Sequence, residues 1–70
     1  MPTYYFHIIS GGRLLDPHGL GLPDEQAALR YGQGLADHLA VVVEVTDTNG
    51  KVLARNEPFA RLRMLTAERA

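Results

Sequence analysis

VVVEVTDTNGKVLAR, residues 41–55, decides the fold. Two β-branched runs flank Asp47, Thr48, Asn49 and Gly50, a turn with a side-chain acceptor at its start and glycine at its end. Glycine enters the left-handed region without steric cost, which suits a type I turn closed by a bulge. The stretch therefore reads as a β-hairpin. With Asp47 facing Lys51 and Val45 facing Leu53, the side chains of Val43, Val45 and Leu53 share one face. Val42, Glu44, Thr46, Val52 and Ala54 share the other.

Outward from the hairpin, TYYFHIIS, residues 3–10, is aromatic and β-branched between Pro2 and Gly11, and reads as a first strand. Tyr4, Phe6 and Ile8 lie on one side, and Tyr5, His7 and Ile9 on the other. Arg13, Leu14 and Leu15 form a short return strand. Asp16, Pro17, His18 and Gly19 then make a turn, with proline fixing its second position. Residues 20–23 are an extended connection.

Asp24 opens a helix, its carboxylate capping first-turn amides and Glu25 favouring the positive end of the dipole. Ala28, Tyr31, Leu35 and Leu39 recur at helical spacing as an apolar stripe. Gly32 and Gly34 each cost about 1 kcal/mol relative to alanine in a helix interior. Either the helix is weak there or another element approaches closely. After Pro58, Phe59, Leu62, Leu65 and Thr66 again fall at helical spacing, as a short second helix or a tail.

The sum is a single α+β domain over residues 1–59, with β-β-α-β-β order. A four-stranded antiparallel sheet carries one helix on one face, and residues 60–70 form a basic amphipathic C-terminal segment. The expected core is Phe6, Ile8, Tyr31, Leu35, Leu39, Val43, Val45 and Leu53. Strand order does not follow from the sequence.

Seventy residues without cysteine make a small core with no disulfide to reinforce it and no thiolate for a metal or a nucleophile. A chain of this length buries only about 60% of its unfolded surface. Self-association is the natural supplement. No run approaches the roughly 20 apolar residues of a membrane span, and no signal-like start is present, so the expectation is a cytoplasmic protein without membrane contact. Net charge is −1 but uneven: residues 1–50 carry −4 and residues 51–70 carry +3. That polarity suits alignment of subunits or an anionic partner.

The segments MPTYYFHI, Asp16 to Gly19, Leu22-Pro23-Asp24 with Ala27-Ala28, and Glu44-Val45-Thr46-Asp47 with Gly50-Lys51-Val52-Leu53 occur in that order. In them the chain resembles a family of short alphaproteobacterial proteins that carries a domain of unknown function. The resemblance implies a bacterial β-β-α-β-β domain and assigns no catalytic residue. The glycine-containing helix and the basic tail depart from the family pattern.

Chemistry-bearing constellations are sparse. His7, His18 and His38, with Asp16 and Asp37, have none of the fixed spacings of a metal site, and no cofactor is expected. Ser10 is the only serine and lies in a glycine-rich turn; no base and orienter accompany it. Residues 10–13 precede a strand, so they lack the helix N-terminus of an anion loop. Tyr4, Tyr5, Phe6 and His7 could stack bases, but the sheet lacks the basic groove that such binding needs. The expected function is a non-enzymatic interaction module, a homodimer that binds a protein partner. Its interface would comprise Tyr5, Ile9, Val42, Val52 and Ala54, with Leu62 and Leu65 of the tail. The alternative is weak nucleic-acid binding through Arg55, Arg61, Arg63 and Arg69. An enzyme or small-molecule binder is the third and least favoured class.

Overall fold

The computed structural model describes residues 1–59. Strands β1 (Thr3–Ile9), β2 (Arg13–Leu14) and β3 (Leu20–Gly21) precede helix α1 (Glu25–Leu39), and β4 (Val42–Thr46) and β5 (Val52–Asn56) follow it. The order is β-β-β-α-β-β, a small α+β fold with an antiparallel sheet. The extra element is β3, inside the stretch expected to be a plain connection. It is two residues long and carries no alternating pattern that would mark it as a strand.

The sheet runs β2-β1-β4-β5, and β3 joins the same edge of β1 as β2. β2 pairs with Ile8 and Ile9, while β3 pairs with Thr3 and Tyr4. The two long apolar strands, β1 and β4, therefore lie at the centre, with Phe6 opposite Val45 and Ile8 opposite Val43.

The hairpin turn forms as its residues require. Asp47 Oδ1 accepts from the N–H groups of Asn49 and Lys51, and Gly50 has φ +81°. The register then departs from expectation. Leu53 is an extra residue on β5, so Val45 faces Ala54 and not Leu53. Directly opposed residues share a face, so Ala54 belongs to the helix side, contrary to the sequence assignment. Strand periodicity cannot reveal a bulge that two similar apolar residues accommodate equally well.

Asp24 caps α1, its Oδ1 accepting from Ala27 N–H at 2.8 Å. The face turned to the sheet is not the large stripe. Ala28, Gly32 and Ala36 are the buried helix residues, and they pack with Tyr4, Phe6, Val43 and Val45. Tyr31 and Leu39, expected in the core, are each 44% exposed. The reason is close approach: a β-carbon on Gly32 would stand 2.7 Å from Val45 Cγ2. Three small residues spaced by four let the backbone settle onto the valines, and the larger residues are pushed to the flank. Ala40 ends the helix in the left-handed conformation, φ +56°.

Candidate functional site

Two surfaces of the sheet carry unusual residues. On the helix side, α1 lies over β4 and β5. Gln33 Nε2 donates to the Glu57 carbonyl, Asn56 Nδ2 donates to the Leu29 carbonyl, and Asp37 accepts from Phe59 N–H. These bonds fasten one flank of the helix to the end of β5. The opposite flank, Tyr31 and Leu35, points toward β1, where the Tyr31 and Phe6 rings meet at 4.9 Å. Beyond them lie β2 and β3. Leu14 faces the helix side opposite Ile8 and is 67% exposed, and Leu20 does so opposite Tyr4. Tyr4 and Phe6 of β1 are buried with the helix, so among the described residues the exposed apolar slot is the sheet's outer rim, Leu14 and Leu20, with Tyr31 and Leu39 of the helix.

The far side is built differently. His7 is buried at its centre, opposite Glu44, which in turn lies opposite Arg55. Arg13 forms an ion pair with Glu44. Tyr5 lies parallel to the His7 ring, with centroids 6.4 Å apart. Asp16 N–H donates to His7 Nδ1 at 3.0 Å, so that nitrogen holds a lone pair. Nε2 therefore carries the proton and donates it to Thr46 Oγ1 at 2.9 Å.

The Asp16 carboxylate fills a gap in the sheet. Between β2 and β3 the outer edge of β1 has no strand partner, and Phe6 N–H is satisfied by Asp16 Oδ2. Oδ1 accepts from His18 and Gly19 N–H within the turn. Burial works to raise the Asp16 pKa, but hydrogen bonds from Gly19, His18 and Phe6, with His7 beside them, hold it below the ordinary carboxylate value. Gly19 has φ +72°, and a β-carbon there would overlap Thr3 and Tyr5. The turn thus sits tightly on β1.

Of the residues singled out for an interface, Tyr5 and Ile9 are half-buried on the far side and Val42 is buried. Val52 is exposed on the edge strand, and Ala54 lies on the helix side. Arg55 is exposed beside Glu44. Leu62, Leu65, Arg61, Arg63 and Arg69 lie outside the described residues. Sequence reasoning missed the His7–Asp16–Thr46 cluster and the slot. The signal for the first was present in Asp16, whose turn-forming geometry leaves one carboxylate oxygen to spare. Among the described residues, no three His, Asp or Glu side chains stand close enough to share a metal ion, and no helix is long and apolar enough to cross a membrane.

No curated protein and no solved structure matches the chain. A family model does, over residues 3–60, which takes in every strand, the helix and both surfaces. The chain therefore belongs to the family described as Domain of unknown function (DUF6894).

Proposed function

We propose that this domain is a non-catalytic interaction module that seats a protein partner in the slot on the helix side of the sheet. The observation that carries the reading is the exposed apolar rim of the helix side. Leu14, Leu20, Tyr31 and Leu39 expose large side chains together, whereas isolated exposed apolar residues would need no explanation. An amphipathic helix presenting an apolar stripe would extend the layer that α1 begins. Self-association belongs to the same reading, with the second copy as one candidate partner. The exposed Arg30 and Asp37 on α1 argue against two copies inserting their helices into each other's slots, since charged groups would be buried.

Site-specific photocrosslinking in cells tests the reading. A photoreactive residue at position 14 should capture a protein, whereas the same residue at position 30 should not. Capture should disappear with Leu39→Glu. A product of twice the chain's mass identifies a second copy. No protein adduct from position 14, or a product destroyed by nuclease, overturns the reading.

A further inference from the structure

The turn at residues 15–19 and the His7 ring hold each other in one protonation state. In the closed arrangement Nε2 donates to Thr46 Oγ1, and Nδ1 accepts the Asp16 N–H. A second proton on the ring must go to Nδ1, where a backbone N–H already points. Two donors cannot share that position. We infer that His7 is a proton-operated latch: the neutral ring keeps residues 15–19 closed on β1, and the doubly protonated ring releases them.

The surroundings leave no easy escape from this conflict. Facing the ring are Tyr5 on β1, Thr46 and Glu44 on β4, and Asp16 in the turn, with His18 bonded to Asp16 through its backbone. Arg13 on β2 and Arg55 on β5 stand next to Glu44. Glu44 favours a proton on the ring, but the ion pair with Arg13 occupies it and Arg55 lies opposite. The Asp16 carboxylate could swing round to accept from a protonated Nδ1. It would then give up the N–H groups of Phe6, His18 and Gly19, the bonds that close the turn. Either response unfastens the same segment. Opening uncovers the parallel Tyr5 and His7 rings and frees the Phe6 N–H on the outer edge of β1.

The sign is fixed by the geometry. Closure requires the neutral ring, so it holds while Nδ1 is free to accept and is lost once the ring gains its second proton. Asp16 does not confuse the reading. Its carboxyl is held below the ordinary carboxylate value by the N–H groups that it accepts from.

Nitrogen-15 NMR of the full chain from about pH 7.5 to about pH 5 tests the latch. The expected result is an Nε2-protonated neutral His7. As the ring gains its second proton, the Phe6, Asp16, His18 and Gly19 amides should shift with the same midpoint and lose exchange protection. The capped amide of Ala27 should stay still. A His18→Gln, His38→Gln double variant keeps His7 as the only histidine and should retain the response. His7→Asn keeps an acceptor near the Nδ1 position without titrating, and should hold the turn closed across the range. If His7→Asn fails to fold, the double variant decides. An Nδ1-protonated neutral ring overturns the inference, as does a His7 that protonates while the Asp16 amide keeps its shift and protection.

Discussion

The two faces of this sheet are closed by opposite means. The helix side is mostly apolar, with Asn56 as a polar exception, yet among the described residues its outer rim leaves Leu14 and Leu20 exposed beside Tyr31. The far side is chemically mixed, yet His7, Val42 and Thr46 are all buried there. What closes part of it is a short turn carrying a single carboxylate, bonded to the edge of β1 and to its own amides. Coverage in a small domain therefore does not follow hydrophobicity. A polar anchor that accepts from several N–H groups can hold a loop in place, and an apolar strip can stay exposed on the same sheet.

If that contrast is right, the far side breaks most easily at Gly19. A valine there meets two obstacles: a left-handed backbone and a β-carbon 2.7 Å from Thr3 Cγ2. We expect Gly19→Val to destabilise the domain by about 3 kcal/mol, read as a drop in the urea midpoint. An unchanged midpoint would show that the turn does not rest on β1.

Asp16 comes next. Asn in its place offers one acceptor oxygen where the carboxylate offers two, so either Phe6 N–H or the turn amides lose their partner. The cost should be about 2 kcal/mol at neutral pH. Because the folded-state pKa is lowered, the charged carboxylate stabilises the fold above its unfolded value near 3.9, and that contribution fades as pH falls through the folded pKa. The stability gap between wild type and Asp16→Asn should thus be widest near neutral pH, shrink as the protonated His7 ring releases the turn, and narrow further in acid strong enough to protonate the carboxylate. A gap independent of pH would mean the carboxylate's charge is irrelevant to the closure.

The covered half of the helix side can be probed with two neighbouring glycines. Gly32→Ala should cost about 1–2 kcal/mol, since its β-carbon would press on Val45 Cγ2 and Asn56 Nδ2. Gly34 has nothing within 4 Å of such an atom, so Gly34→Ala should gain up to about 1 kcal/mol from helix propensity. Equal effects of the two substitutions would show that α1 is not seated on the valines.

The parts of this architecture that were legible in the sequence are those set by local chemistry. The hairpin turn, the Asp24 cap and the alternation of β1 all follow from residues within a few positions of each other. What was not legible depends on pairs far apart in the chain. Choosing Ala28, Gly32 and Ala36 over Tyr31 and Leu39 as the buried stripe requires knowing that two valines stand beneath. The bulge at Leu53 depends on which of two apolar residues Val45 meets. The end of α1 at Ala40 lacks the glycine that usually marks a left-handed cap, so nothing local announces it. The His7 cluster joins residues on β1, a turn and β4, and only the fold assembles them.

The smallest expected effect concerns the open half of the helix side. Leu14 and Leu39 face solvent there, so Leu14→Ser and Leu39→Gln should each change stability by less than about 0.5 kcal/mol. Both substitutions leave β1 and the valines of β4 in place, which isolates the slot from the core. The measurement is a urea melt repeated over a wide range of protein concentration. Small, concentration-independent effects would leave the slot vacant in the isolated protein, as a site awaiting a partner should be. A larger loss that grows with protein concentration would mean a second copy covers it, since only an associating species links stability to concentration. A larger loss that ignores concentration would mean the chain covers its own slot, and the contrast between the two faces would then hold only for residues 1–59.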